Sequence, residues 1–361
     1  MSQGTVAIIG AGIVGAALLR EFAQHGHSVF LLERHGRSCE ETSSRNSGVL
    51  HAGIYYPKDS LKTKFCLRGN QMFREFARQR GLEFWDCGKL IVAPKEGESE
   101  IQHIFKQAQD NGVPQCRLLT QKEIRSLEPN VAGEVGVFSQ TSAMIDPHTF
   151  ADALIAEGEE AGGMVIYHCE VQGVTPKGSG FAIRTNRDEI EVDAVINSAG
   201  LEATGVASWF GLTQYKYHYC RGDYFVVKGA KYTIQHLVYP TPDHEHQALG
   251  VHITPDKNGR IRLGPDAVYI DSHLDVKDGA EDRKHHFYAG AKRLLPDLQP
   301  SQLAYDMWGI RPKLKPPDSD QFYDFVIEQH PKGVVHLIGI ESPGLTASMA
   351  IAAYVRQQFF A

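Results

Sequence analysis

The sequence predicts an α/β chain in which a nucleotide-binding domain is interrupted by a second, antiparallel-sheet α+β domain. Three observations carry this reading. A strand–turn–helix–strand run occupies Val6 to Glu33. Apolar runs at Val192 to Gly200 and Val334 to Gly339 return to the same texture late in the chain. Between them, from about Gln214 to Leu314, lies a Tyr- and His-rich block of short β runs.

The first run opens with Val6-Ala7-Ile8-Ile9, a strand, and continues into Gly10-Ala11-Gly12-Ile13-Val14-Gly15, a tight turn and the start of a helix. Gly26-His27 then leads into a second strand, Ser28 to Leu32, which ends on Glu33, eighteen residues past Gly15. This is the spacing of a Rossmann-like dinucleotide-binding βαβ unit. Gly10 permits the turn, Gly12 lets backbone N–H groups approach a pyrophosphate, and Gly15 lets helix and strand pack closely. Glu33 accepts from a ribose hydroxyl. A phosphate on that hydroxyl would face a carboxylate, which disfavours an NADP-type ligand.

A length of 361 residues allows two domains, and an apolar content of 42% supports a sizeable core. The 37 basic and 43 acidic residues leave a net charge of −6 without a basic run, which argues against nucleic acid as a partner. Six cysteines occur without a CxxC pair, so neither a zinc site nor a dithiol motif is indicated, and buried thiols in a reducing cytoplasm are expected. The longest apolar run, Val6 to Leu19, is too short to span a bilayer, and no Lys or Arg precedes it as in a signal peptide. The expectation is a cytoplasmic protein with no integral membrane segment, peripheral contact with the inner membrane remaining open.

After Glu33, the small donors of Thr42-Ser43-Ser44-Arg45-Asn46-Ser47-Gly48 suit a loop laid along a bound cofactor, or an ordinary Ser-rich turn. Asp59 or Ser60 caps a helix to about Arg80, ended by Gly81. Phe84 to Ala93 reads as a strand and Glu98 to Asn111 as a helix closed by Gly112. Thr120 and Glu123 form a capping box for a short helix stopped by Pro129. Asp146-Pro147 starts a helix reaching Gly162-Gly163. Short β runs follow to Val195, then β runs at Tyr215 to Val227, Ile234 to Tyr239, Ala248 to Thr254 and Arg260 to Gly264, and a helix near Glu281 to Leu294. At the carboxyl end, Gly344-Leu345-Thr346 opens a helix whose electropositive start follows a strand. The expected division is 1–80, 145–213 and 315–361 for the nucleotide domain and 81–144 with 214–314 for a substrate domain. There is no second GxGxxG, so a dedicated NAD(P)H domain is not expected.

With these elements read, the chain resembles the D-amino-acid oxidase superfamily of FAD enzymes, which includes glycine and sarcosine oxidases. Within it, Asn46-Ser47-Gly48-Val49-Leu50-His51-Ala52-Gly53-Ile54-Tyr55-Tyr56, Cys87-Gly88-Lys89-Leu90-Ile91-Val92-Ala93, Arg221-Gly222-Asp223-Tyr224, Gly250-Val251-His252-Ile253-Thr254 and Ile340-Glu341-Ser342-Pro343-Gly344-Leu345-Thr346 resemble the L-2-hydroxyglutarate dehydrogenase/oxidase family. The resemblance implies FAD as cofactor and a glutathione-reductase-like FAD-binding domain beside a D-amino-acid-oxidase-like substrate domain. It implies that Gly10, Gly12, Ile13 and Gly15 hold the pyrophosphate and that Glu33 and Arg34 lie at the adenosine. Ser43, Ser44, Asn46 and Ser47 would run along the cofactor, with Val171, Ala199 and Gly200 flanking the nucleotide half. Gly339, Pro343, Gly344, Leu345 and Thr346 would sit at the isoalloxazine end.

Oxidising a 2-hydroxy acid removes a hydroxyl proton and a hydride from the adjacent carbon; the flavin takes the hydride, and the protein supplies position, a base and charge. Histidine suits the base because its ordinary pKa of about 6.5 lies near working pH, and His51 and His252 are the candidates. A covalent His51–flavin bond is a further reading. The substrate carboxylate needs a paired cation. Arg311, in Trp308-Gly309-Ile310-Arg311-Pro312, resembles the carboxylate-binding arginine of the superfamily's amine oxidases. A dicarboxylate needs a second donor, for which Arg221, Tyr239 and Lys313 are candidates, with Tyr55 adding a hydroxyl. The implied reaction is oxidation of a small L-2-hydroxy acid, L-2-hydroxyglutarate first, with oxygen or a quinone as electron acceptor. The alternatives are an oxidase of a small amino acid or secondary amine, and a flavin-carrying protein without turnover.

Overall fold

The computed structural model describes residues 4–242, 250–274, 276–279 and 281–360. Its first sheet has six strands in the order Val326–Gln329, Val334–Ile338, Ala194–Asn197, Thr5–Ile9, Ser28–Leu32 and Met164–Ile166. All neighbours are parallel except the Val326–Gln329 edge. The central strand is apolar from Val6 to Ile9 because both of its faces are covered there. Val6 and Ile8 meet a layer of helices, and Ala7 and Ile9 meet a three-stranded antiparallel sheet formed by Val171–Lys177, Gly180–Thr185 and Glu189–Val192.

The helical layer centres on Ile13–Gln24, which packs against Pro147–Glu160 and Gly344–Phe359; the last of these also packs on Leu61–Arg80. The expected caps are in place. Ser60 accepts from the Thr63 N–H, Thr120 and Glu123 make the reciprocal box, and Asp146 accepts from Thr149 ahead of Pro147. Gly81 closes its helix in the left-handed conformation at φ 65°.

A nine-stranded sheet forms the second body, drawing its strands from both 89–139 and 218–313. Its spine is a long antiparallel pair, His218–Val227 with Leu303–Lys313. The sheet is not wholly antiparallel as expected, since Leu237–Pro240 joins Lys89–Ala93 in parallel and so ties the two chain segments together. The strand expected from Phe84 begins only at Lys89, because Gly88 turns the backbone at φ 66° and leaves Trp85 in a separate bridge to Met144. The expected β run from Ala248 narrows to Ile253–Pro255, residues 248 and 249 lying outside the described residues. The helix near Glu281 is a short 3-10 turn followed by Lys284–Lys292.

The 42–56 segment runs between the two bodies. Thr42 donates to the Ile310 carbonyl at 3.1 Å, and Val49–Leu50 pairs with Ala143–Met144. A methyl group on Gly309 would lie 2.0 Å from the Arg45 carbonyl oxygen, so only glycine admits this approach of loop to sheet. Among the described residues no helix is long and apolar enough to cross a membrane.

Candidate active site

At the carboxyl ends of the parallel strands the chain makes a cavity of about 370 Å³. Gly10 turns there at φ 95°, and the Gly15 Cα lies so close to the Gly10 carbonyl that an added methyl would come within 1.9 Å of its oxygen. The helix Ile13–Gln24 has no side-chain cap at Gly12, which leaves a first turn of backbone N–H groups for an anion; among the described residues a side chain engages Ile13 alone, whose N–H donates to Ser43 Oγ at 3.0 Å. Glu33 is buried, accepting from Ala11 N–H at 2.7 Å and His35 N–H at 2.8 Å. Those bonds aim its carboxylate across the strand ends. Arg34, Val171, Ala199 and Gly200 complete this part of the wall, Arg34 being ion-paired with Glu41.

Gly12, Thr42, Ser43, Ser198 and Gly200 also line a second cavity of about 650 Å³, so the two form one groove from Glu33 to the second sheet. Asn46, Ser47, Pro343, Gly344 and Leu345 lie along it. The far end has another uncapped helix start, Gly344–Phe359, where Pro343 supplies no side-chain acceptor. An elongated dianionic group fits these features: two uncapped helix N-termini, glycine approaches that a Cβ would block, and a buried acid at the strand ends.

On the wall of the larger cavity His51 is fixed from several sides. Its backbone N–H donates to Thr346 Oγ1 at 2.9 Å, Lys89 Nζ lies 3.5 Å from Nδ1, and Ser342 Oγ lies 3.4 Å from Nε2. Burial, the Lys89 ammonium and His252 together hold the imidazole well below the usual 6.5, so it is neutral at pH 7 and able to accept a proton. His252 stacks on Tyr239 with ring centroids 3.7 Å apart. Arg311 stands opposite Cys220 in the long strand pair, and its guanidinium passes over Gly222 to donate to the Asp266 carbonyl. A side chain at Gly222 would collide with it at 2.2 Å.

A family model described as FAD dependent oxidoreductase matches residues 5–358. The chain belongs to the FAD-dependent oxidoreductase family. An L-2-hydroxyglutarate dehydrogenase of Arabidopsis thaliana is 33% identical, over 98% of this chain and 82% of its own length. One from Escherichia coli is 30% identical over 96% and 91%. Among solved structures, FAD-bound L-alpha-glycerophosphate oxidase from Mycoplasma pneumoniae superposes with a TM-score of 0.88 at 26% identity, covering 99% of this chain and 94% of that one. Glycine oxidase from Geobacillus kaustophilus, at 20% identity and a TM-score of 0.80 over 99% and 94%, shares the fold. FAD is therefore the cofactor of this flavoprotein.

Most of the residues singled out in the sequence meet in the groove, but several do not line it. Gly15 packs against the turn, Ser44 Oγ donates to the Glu41 carbonyl, and Gly339 donates its N–H to Tyr217 behind the wall. Thr346 is buried and acts through its bond to His51. Arg221 is a correction. It points away from the cavity, donating from Nε to Asp223 at 3.0 Å and from its terminal nitrogens to the Lys277 and Gly279 carbonyls. Lys313 lines the cavity but is held by Glu341 at 2.9 Å. Burial would raise the Glu341 carboxyl; Lys313 and Lys62 overcome this and bring it to about 2.

Sequence reading passed over Lys89, which is 1% exposed on this wall. A charged residue opening the apolar run Leu90-Ile91-Val92 was the available signal.

Proposed function

We propose that this flavoprotein oxidises an L-2-hydroxy acid, L-2-hydroxyglutarate to 2-oxoglutarate. The observation that carries the proposal is the meeting of a neutral imidazole, His51, and a guanidinium, Arg311, on one cavity that continues into the nucleotide groove. The likeness to L-2-hydroxyglutarate dehydrogenases over 96–98% of this chain supports the choice of acid. Arg311 binds the carboxylate beside the reacting carbon with its planar fork. His51, neutral and buried on this wall, takes the hydroxyl proton on its imidazole ring. His252 and Tyr239 form an apolar stacked wall that excludes water. Bound FAD supplies the acceptor for the hydride. The six-stranded sheet and its flanking segments, 1–80, 145–213 and 315–361, serve as the cofactor domain, and 81–144 with 214–314 as the substrate domain. The electron acceptor is oxygen or a quinone, and the protein works in the cytoplasm, peripheral to the inner membrane where the acceptor is a quinone.

Trp308 to Pro312 favours a second reading, a small amino acid or secondary amine oxidised on the same arginine. An anaerobic panel separates them: L- and D-2-hydroxyglutarate, L-lactate, glycine, sarcosine and sn-glycerol 3-phosphate, read by loss of the oxidised flavin's visible absorbance. Rapid bleaching by L-2-hydroxyglutarate, with 2-oxoglutarate and no ammonia or amine released, is expected. Bleaching by glycine or sarcosine alone would replace the proposal with the second reading, and bleaching by glycerol 3-phosphate alone would end both.

A further inference from the structure

We infer that Lys89, with the Tyr55 hydroxyl, forms a second anion subsite that takes the distal carboxylate of a dicarboxylic 2-hydroxy acid, Arg311 taking the carboxylate beside the hydroxyl. The inference rests on the proposed function for the identity of the acid, and on the following geometry for the subsite.

Lys89 is almost fully buried and lines the larger cavity. Its Nζ sits 4.0 Å above the Tyr239 ring centroid and 6.0 Å from that of Tyr55, with His51 Nδ1 at 3.5 Å. Among the described residues no carboxylate pairs with it, whereas the buried Lys62 has Glu341 at 3.1 Å. A buried ammonium without an anion is half of an ion pair. The parallel pairing of Leu237–Pro240 with Lys89–Ala93 puts Tyr239 beside this strand, and so fixes the aromatic wall on which the ammonium rests.

The second half of the subsite is an orphan. The Tyr55 hydroxyl is buried and has no hydrogen-bond partner among the described residues, although Tyr55 belongs to the same wall. An unpaired buried hydroxyl is costly, and a ligand oxygen satisfies it. Other basic groups on the cavity differ from it: Lys313 is paired with Glu341, Arg45 lies over the Trp308 ring, and Lys315 is only half-buried, so its ammonium keeps solvent as a partner. Burial lowers the Lys89 ammonium to about 8, which leaves it mostly charged at pH 7, and an arriving carboxylate neutralises that charge.

The test uses the FAD-loaded enzyme and two inert acids of one length, glutarate and pentanoate, titrated by the perturbation of the flavin spectrum. Wild type is expected to bind glutarate more tightly. Lys89→Met should weaken glutarate by about 10- to 100-fold, as for loss of one charge-assisted hydrogen bond, and change pentanoate less than about threefold on the same scale. Tyr55→Phe should move glutarate in the same direction by a smaller factor, which keeps the test open if the lysine variant does not fold. Equal weakening of both acids by Lys89→Met, no weakening of either, or a glutarate effect found in Lys315→Met instead would overturn the inference. So would a Lys89→Met that shifts only the pH profile of flavin reduction, since that assigns the lysine to His51 alone. Wild-type reduction by L-2-hydroxyglutarate is measured separately: its absence with glutarate discrimination intact removes the proposed reaction and leaves the subsite standing.

Discussion

Lys89→Met is expected to stabilise the protein while weakening ligand binding, and the size of the gain follows from the site. Burial carries the Lys89 ammonium from 10.5 to about 8. At about 1.4 kcal/mol for each tenfold change in proton affinity, keeping that group charged at pH 7 costs the fold about 3 kcal/mol. Methionine matches the side chain in length and places a thioether over the Tyr239 ring, so the substitution removes the charge with little loss of packing. The sign with pH is fixed by the direction of the shift. Between about pH 8 and 10.5 the unfolded chain holds a proton that the folded one has released, so wild-type stability rises through this window and the penalty is gone above it. The advantage of the variant is therefore full below pH 8, shrinks from there to 10.5, and then vanishes. Urea unfolding of both proteins at pH 7, 9 and 10.5, each with FAD at the same multiple of its own Kd, measures this difference. A variant less stable than wild type at pH 7, or a gap that does not change with pH, would refute the picture of an uncompensated buried cation.

Other substitutions test the remaining parts of the site. His51→Gln should slow flavin reduction by about 10²- to 10⁴-fold in stopped flow. Because the imidazole is held well below 6.5, the acid limb of the wild-type kcat/KM profile should also lie below that pH, and a limb at or above it would exclude His51 as the base. Arg311→Ala should raise KM by about 10²-fold, with lysine unable to restore it because a point charge does not replace the planar fork. Gly222→Ala should resemble a milder Arg311 variant with full flavin content, since its methyl displaces a guanidinium nitrogen only 2.2 Å away. Gly69→Ala brings a methyl within 2.1 Å of the Thr346 carbonyl oxygen; a stability loss of about 1–3 kcal/mol and faster FAD release on gel filtration are expected.

The groove lies where two kinds of scaffold meet, and each contributes a different sort of precision. The parallel sheet presents strand ends and helix starts, whose backbone groups suit a charged cofactor. The mixed sheet presents side chains at fixed register, so that Arg311 stands diagonally from Gly222 and Lys89 shares a wall with Tyr239. Thr346 links the two, since the helix that starts at the cofactor end also holds the backbone of His51. A change in cofactor seating is thereby felt at the proposed base.

Much of this was legible in the chain because it depends on near neighbours. Gly10, Gly12 and Gly15 answer a steric demand within one turn, Glu33 closes the same βαβ unit, and Ser60, Thr120 and Asp146 cap helices three residues away. The error at Arg221 was also local: Arg221 and Asp223 are two apart on one strand and therefore face the same side, where they pair. Which cations remain available to a ligand was a different matter. Lys313 meets Glu341 and Lys62 meets the same carboxylate from a distant helix, while Lys89 meets none among the described residues. Charge pairing between remote segments depends on sheet register and on how the two bodies close around the 42–56 loop. No spacing in the sequence encodes that distance, so the tertiary structure alone decided which residues line the cavity while keeping an unsatisfied charge or hydroxyl.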